Sequence, residues 1–161
     1  MVAMKRLIII LLILLWPLSA HAWIAKVVSV TDGDTIKVYN AEYGQVKIRF
    51  YGIDTPEKGQ PYGKAAGKHL ASLIAGAMVE VETVTTGRYG RTVGIVWDGE
   101  INVNQQMVTA GYAWVYRKYC DKLICEYWLA LENEAKADKL GLWQEPNQVP
   151  PWEWRSLKDT N

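Results

Sequence analysis

Apolar and polar residues alternate along three stretches in the first half of the chain, and this pattern predicts three β-strands. Two runs fill residues 24–39 and are separated by the turn residues Thr31-Asp32-Gly33. A third run alternates over residues 46–50, which places Arg49 on the face opposite Ile48 and Phe50. Pro56 is expected to end that strand region. The residues expected on the inner face of the first two runs are Val28, Val30, Ile36 and Val38.

The apolar spacing changes to steps of three and four after residue 62, and this predicts a helix over 62–77. Two more alternating strands are predicted at 78–85 and 93–97, followed by an Asp98-Gly99 hairpin turn. Asn102 is expected to cap a short helix that ends before Gly111.

A last helix is predicted from four apolar residues near the end of the chain, and Gly141 is expected to close it. These residues are Trp128, Leu131, Ala135 and Leu142. Beyond Gln144, three prolines and two tryptophans predict an irregular tail over 146–161 that folds back on the domain.

The predicted order is three strands, a helix, two strands and two helices, without an internal repeat. Short strands with a helix after the third are typical of a five-stranded Greek-key barrel of the OB type, with about three helices in all. An open α+β sheet is the alternative.

Residues 1–22 have the pattern of a secretory signal peptide. Lys5 and Arg6 precede an apolar run over 7–15, and Ala20-His21-Ala22 supplies small residues around the cleavage point. The run is shorter than the ~20 residues of a membrane span, so we expect cleavage after Ala22 and export to the periplasm or the medium. An uncleaved N-terminal anchor is the alternative.

Neither charge nor cysteine content points to a global nucleic-acid-binding surface or a zinc site. Removing 22 of the 161 residues, including Lys5 and Arg6, leaves 139 residues with 16 basic and 17 acidic side chains, a net charge of −1. Phosphate binding must therefore come from a local cluster. Cys120 and Cys125 are expected to form a disulfide because an exported chain meets an oxidising compartment. A metal site is not expected there, since no histidine lies near them.

Carboxylates and arginines recur at the ends of the predicted strands, and each one alone has an ordinary explanation. Aspartate is common in turns, a strand arginine is commonly solvated, and a glutamate after proline suits a helix start. Together they suit a hard cation that needs oxygen ligands beside a phosphate gripped by guanidinium groups. The set is Asp34, Arg49, Asp54, Glu57 and Arg91.

Aromatic residues near Arg117 and Lys118 suit stacking on the bases of a single strand, at ~1–3 kcal/mol per base. Packing at the core and its rim is an equally good explanation. The candidates for contact with substrate are Arg88, Tyr89, Tyr116 and Tyr119.

Several motifs, in their order and spacing, resemble the staphylococcal nuclease (thermonuclease) family. They are Asp32-Gly33-Asp34-Thr35, Arg49-Phe50-Tyr51-Gly52-Ile53-Asp54-Thr55-Pro56-Glu57, Tyr62-Gly63, Tyr89-Gly90-Arg91 and Gly141-Leu142-Trp143. The resemblance covers residues 24–145, so a domain is expected over 23–145. It implies an OB barrel with three helices and Ca²⁺-dependent cleavage of DNA and RNA to 3′-phosphate ends.

The resemblance also implies roles for individual residues. Asp34 and Asp54 would be carboxylate ligands of Ca²⁺, with the Thr55 backbone carbonyl as a further ligand. Arg49 and Arg91 would grip the scissile phosphate, and Glu57 would position or deprotonate the attacking water. The loop between Glu57 and Tyr62 looks shorter than in the best-known member of the family, and Arg88 keeps the charge of a lysine in that relative.

We therefore expect an exported, monomeric, Ca²⁺-dependent endonuclease that acts on DNA and RNA and favours single-stranded regions, with no membrane contact once mature. A non-catalytic OB-fold module that binds nucleic acid is the rival, because such barrels often only bind. The presence of all five charged residues favours the enzyme. A hydrolase of another phosphodiester is a third hypothesis.

Overall fold

The computed structural model describes residues 22–87 and 90–159, and this part contains eight strands, four α-helices and two 3₁₀ turns. Residues 1–21 of the predicted signal peptide, which spans 1–22, lie outside the described residues, as do Arg88 and Tyr89. The strands are β1 Ala22–Val30, β2 Thr35–Asn40, β3 Gly44–Phe50, β4 Ile53–Asp54, β5 Met78–Thr86, β6 Thr92–Asp98, β7 Ile101–Asn102 and β8 Trp114–Val115. The helices are α1 Gly63–Ile74, α2 Val103–Thr109, α3 Ile124–Ala137 and α4 Pro151–Asp159, with 3₁₀ turns at Arg117–Tyr119 and Gly141–Gln144.

Five of these strands close into a barrel. Antiparallel pairs join β3 to β2, β2 to β1, β1 to β5 and β5 to β6. The barrel closes because β3 also pairs with β6 in parallel, with Arg49 opposite Val93. The predicted five-stranded OB barrel is confirmed, and the open-sheet alternative is wrong.

The interior of the barrel is apolar, as the alternating pattern predicts. Ile36, Val38, Ile48 and Phe50 are all buried, and Arg49 points away from that core. The prediction for β1 is wrong at Val28, which is 46% exposed. A register irregularity between Val27 and Ser29 adds a residue to the strand, so Ala25 and Val27 face the core instead.

Helix α1 packs against the barrel through Ala66, Leu70 and Ile74, which are buried. It ends three residues earlier than predicted. Asn102 caps α2 as expected, since its side chain accepts a hydrogen bond from the backbone of Gln105 at 3.0 Å.

The predicted continuation of the last core helix to Leu142 is wrong, because α3 ends at Ala137. Lys139 adopts a left-handed conformation with φ of 53°. The Lys139 and Leu140 amides then donate to carbonyls of Lys136 and Ala135, at 3.2 and 2.9 Å, in a Schellman arrangement. Leu142 is buried from the following 3₁₀ turn.

The tail beyond residue 145 is helical over Pro151–Asp159, so the expectation of an irregular segment is wrong there. Pro151 suits a first helical position, Glu153 lies in the first turn and Lys158 in the last, in agreement with the helix dipole. The expected return of the tail through a tryptophan is confirmed, because Trp152 packs on Trp114 and Tyr116.

None of the helices in the described part of the chain is long and apolar enough to span a bilayer.

Candidate active site

Asp34, the residue just before β2, is held by three hydrogen bonds to its carboxylate. Its Oδ2 atom accepts hydrogen bonds from the Thr55 amide at 2.8 Å and the Thr55 hydroxyl at 2.9 Å. The Thr35 hydroxyl donates to the Oδ1 atom at 3.1 Å. The Asp34 carbonyl also accepts from the Phe50 amide at 2.8 Å, which ties the turn to the end of β3.

Arg49 lies between the two predicted metal ligands. Its Nη1 atom is 2.5 Å from Asp34 Oδ2, and its Nη2 atom is 2.7 Å from Asp54 Oδ1. Burial acts to lower the pKa of Arg49, but the charges of Asp34 and Asp54 outweigh it, so the pKa is raised. The guanidinium therefore stays charged at any pH where the protein is folded.

Asp54 and Glu57 share a second guanidinium, from Arg155 of α4. Arg155 Nη2 lies 2.7 Å from Asp54 Oδ2, and Arg155 Nη1 lies 2.7 Å from Glu57 Oε1. Asp54 sits on β4 and its side chain is 1% exposed, while that of Glu57 is 43% exposed. Both oxygens of Asp54 thus carry a guanidinium partner, one from Arg49 and one from Arg155.

The loop after Glu57 is fixed by the buried residue Gln60, whose side chain both accepts and donates a hydrogen bond. Gln60 Oε1 accepts from the Glu57 amide at 3.1 Å, and Gln60 Nε2 donates to the Val149 carbonyl at 2.5 Å. The backbone N–H of Gln60 also donates to the backbone carbonyl of Glu57 at 2.8 Å. Gln60 therefore positions the backbone of Glu57 and connects it to the segment that leads into α4.

The carboxylate cluster, defined as Asp32, Asp34, Asp54 and Glu57, carries more negative charge than its two guanidiniums balance. Burial and the nearby charge of Asp34 raise the pKa of Asp32 to about 6. Burial also raises the pKa of Asp54, although Arg155 and Arg49 act in the opposite direction. Burial is the largest cause of both upward shifts, so the charged forms of Asp32 and Asp54 are disfavoured relative to free carboxyl groups.

The donor chemistry of this cluster fits Ca²⁺, which prefers several oxygen ligands. Within residues 22–87 and 90–159, no three His, Cys, Asp or Glu side chains form a group that could hold a metal ion. Asp34 and Asp54 could still anchor Ca²⁺ if carbonyl, water and phosphate oxygens complete the shell. Thr55 also has a role that the sequence did not indicate, since its amide and hydroxyl hold Asp34.

Arg91 lies at the same end of the barrel but does not join the cluster. It precedes β6, whose Val93 pairs with Arg49, and it is exposed. Its guanidinium forms no ion pair or hydrogen bond with any residue that the structure describes. The structure thus brings together Asp34, Arg49, Asp54 and Glu57 of the predicted set.

An aromatic stack borders the cluster. The rings of Tyr116 and Trp152 are nearly parallel, at 7° with centroids 4.9 Å apart. Tyr119 meets the Tyr116 ring edge-on at 4.9 Å and is 57% exposed. Since Trp152 and Arg155 are three residues apart on α4, one face of this helix covers both Tyr116 and the carboxylates.

The predicted disulfide between Cys120 and Cys125 is present, with a Cα–Cα distance of 5.7 Å. It lies against Gly52, where a Cβ atom would come within 2.5 Å of Cys120 Sγ. The hydroxyl of Tyr51 accepts from the amides of Asp121 and Lys122 at 2.8 and 3.0 Å. The disulfide loop is therefore docked on the turn between β3 and β4.

Gly33 allows the turn that carries Asp34 to pack closely against Thr55 and Ala66. A Cβ atom at this position would lie 2.7 Å from Thr55 Oγ1 and 2.8 Å from Ala66 Cβ. The turn that carries Asp34 therefore packs directly on the residue that holds Asp34 and on α1.

Sequence reasoning missed Gln60 and Arg155, and it assigned Trp152 to packing of the tail without placing it beside the site. For α4, local signals existed: a proline at a helix start, an acidic residue in the first turn and a basic one in the last. The three-residue spacing of Trp152 and Arg155 would then place them on one face. Nothing local indicates that Arg155 contacts a carboxylate 101 residues away.

Comparison with known proteins gives consistent matches. The family model for staphylococcal nuclease homologues matches residues 47–145. A protein of Escherichia coli O157:H7 described as an uncharacterized endonuclease is 43% identical over 156 residues, covering 96% of this chain and 99% of the relative. A micrococcal nuclease of Shigella flexneri is 39% identical over 152 residues, covering 85% of this chain and 84% of the relative.

Proposed function

The chain belongs to the staphylococcal nuclease homologue family, and we propose that it is a Ca²⁺-dependent endonuclease, exported from the cell, that hydrolyses phosphodiester bonds of DNA and RNA and leaves 3′-phosphate ends. The observation that carries the proposal is the convergence of Asp34, Arg49, Asp54 and Glu57 at one end of the barrel. The relatives whose names state nuclease activity support the reaction class.

Arg49 is suited to bind the phosphoryl group. A guanidinium has five N–H donors, and the two observed ion pairs leave donors free for phosphate oxygens. Because Asp34 and Asp54 hold the group in place, it needs little reorganisation when negative charge develops in the transition state. Arg91, exposed at the same end of the barrel, would supply the second guanidinium after substrate binds.

Glu57 is suited to orient the attacking water and accept its proton. Its side chain is partly exposed, while its backbone is fixed by Gln60. Asp34 and Asp54 would hold Ca²⁺, with the Thr55 carbonyl as a further ligand. The bound ion would supply Lewis-acid stabilisation of the phosphoryl oxygens.

The flanking residues would bind the rest of the substrate. Tyr119 offers an exposed aromatic face for bases of a single strand, whereas the Tyr116 face that stacks on Trp152 is not available to a base. Arg88 and Tyr89 would extend this surface. Such stacking requires unpaired bases, so we propose a preference for single-stranded regions. We further propose that the signal peptide directs the chain to the periplasm or the medium, where it acts as a monomer.

The first experiment is digestion of single-stranded DNA by purified residues 23–161, with Ca²⁺ or with chelator, beside Glu57→Gln. A matched control is Glu126→Gln, which removes an exposed carboxylate in the first turn of α3. We expect cleavage that needs Ca²⁺, collapses in Glu57→Gln and persists in the control.

Two other results would contradict parts of the proposal. Binding of DNA without cleavage under all conditions would indicate the non-catalytic OB-fold module. Cleavage that survives the chelator would show that the metal assignment of Asp34 and Asp54 is wrong.

A further inference from the structure

Arg155 contacts the two carboxylates on which the proposed chemistry depends most. Its Nη2 atom lies 2.7 Å from Asp54 Oδ2, and its Nη1 atom lies 2.7 Å from Glu57 Oε1 and 3.4 Å from Asp54 Oδ1. One guanidinium therefore bridges a candidate metal ligand and the candidate base. The contact raises the pKa of Arg155, so its charge is permanent.

The contacts to Asp54 use oxygen atoms that a metal ion would need. Asp54 Oδ1 is already paired with Arg49, so Arg155 completes the set of partners on this carboxylate. A carboxylate oxygen that faces a guanidinium at 2.7 Å cannot also bind Ca²⁺ on the same side. The same guanidinium holds the Glu57 side chain through its Oε1 atom, so this carboxylate is not free to turn toward a water molecule.

We infer that Arg155 is an internal counterion that competes with Ca²⁺ for Asp54, so that the metal binds by displacing this guanidinium and thereby also releases Glu57. The inference rests on the proposed Ca²⁺ dependence and adds a residue from outside the sequence region that the family model matches.

The competition has a definite thermodynamic consequence. When the binding-competent state is only partly populated, the apparent dissociation constant rises by the reciprocal of that population. A charge-assisted contact to a buried carboxylate supports a roughly tenfold to hundredfold effect. Part of the Arg155 side chain is solvent-exposed, at 41%, which places the expected effect nearer tenfold.

The helix itself supplies a matched control. Lys158 also lies on α4, and its ammonium group is 5.5 Å from the Trp154 ring centroid and forms no ion pair with the carboxylate cluster in the described part of the chain. Replacing Lys158 with glutamine removes the same charge from the same helix. The comparison therefore separates direct competition from a general change in the field of the protein.

The test is calorimetric titration of Ca²⁺ into the unsubstituted protein, Arg155→Gln, Arg155→Lys and Lys158→Gln, each checked for native circular dichroism. We expect Arg155→Gln to bind Ca²⁺ about tenfold more tightly and Lys158→Gln to match the unsubstituted protein. Arg155→Lys should fall between them, since it keeps the charge but loses the two-pronged contact. If Arg155→Gln fails to fold, the lysine variant still carries the comparison.

Unchanged or weaker Ca²⁺ binding in both Arg155 variants would overturn the inference, as would an equal gain in Lys158→Gln. Absence of measurable Ca²⁺ binding in every protein would overturn it too. Cleavage of DNA by the unsubstituted protein, measured with Ca²⁺ and with chelator, decides the proposed function separately. A competing role for Arg155 in gripping phosphate would appear as slower turnover at unchanged Ca²⁺ affinity.

Discussion

Replacing Arg49 with alanine should affect both stability and catalysis, and the two effects can be separated. The guanidinium pairs with Asp34 at 2.5 Å and with Asp54 at 2.7 Å, and its side chain is only 17% exposed. Removing one partner of a buried ion pair leaves an uncompensated charge, which costs about 3–5 kcal/mol.

The remaining contacts place the expected loss at the lower end of that range. Asp54 keeps Arg155, and Asp34 keeps the two hydrogen bonds from Thr55. We therefore expect a loss of about 3 kcal/mol in the free energy of unfolding. With a urea dependence of about 2 kcal/mol per molar, the midpoint of unfolding should fall by roughly 1.5 M.

The assay is urea unfolding followed by tryptophan fluorescence in chelator, with Lys47→Ala as the control. Lys47 lies two residues earlier on the same face of β3 and is exposed, so its loss should leave the midpoint nearly unchanged. An Arg49→Ala midpoint equal to that of Lys47→Ala would refute the claim that the ion pairs stabilise the fold.

Catalysis is then measured on Arg49→Ala under conditions where it remains folded, at saturating Ca²⁺. Loss of a preorganised donor to the phosphoryl group should lower turnover by about 10²-fold. An unchanged rate in the folded variant would remove Arg49 from the proposed mechanism.

Two further predictions concern residues outside the cluster. Arg91→Ala should lower turnover at saturating Ca²⁺ by about 10²-fold. It should leave the urea midpoint unchanged, because the Arg91 guanidinium has no ion-pair partner among the described residues. An unchanged rate would remove Arg91 from the proposed site. Replacing Cys120 and Cys125 with serine should cost about 2 kcal/mol and lower Tm by roughly 5–10 °C. Calorimetry with and without reductant checks this, and a shift below about 1 °C would contradict the chain-entropy argument.

The charged residues of the site could be predicted from sequence because they lie beside strand ends within short motifs. Asp34, Arg49, Asp54 and Glu57 all lie within residues 34–57, and the alternation of β3 determines the face on which Arg49 projects. The barrel was predictable for the same reason, since its strands show the two-residue period and its turns carry Gly or Pro.

Other features depend on contacts that no local pattern records. Arg155 reaches Asp54 across 101 residues, so its role depends on how α4 docks. The exposure of Val28 follows from an irregular pairing with β2, and the end of α3 follows from the left-handed conformation of Lys139. At Val28 the pairing between strands thus overrides a regular hydrophobic period.

The close packing at Gly33 offers a criterion for comparing members of this family across genomes. A chain could retain every acidic and basic residue of the motifs and still carry a larger residue at this position. Its added carbon would collide with Thr55 and α1, so the turn bearing Asp34 would be displaced. Gly33 has no chemical role of its own. Its presence nevertheless helps to distinguish relatives in which the charged residues can form the site from relatives that only retain those residues.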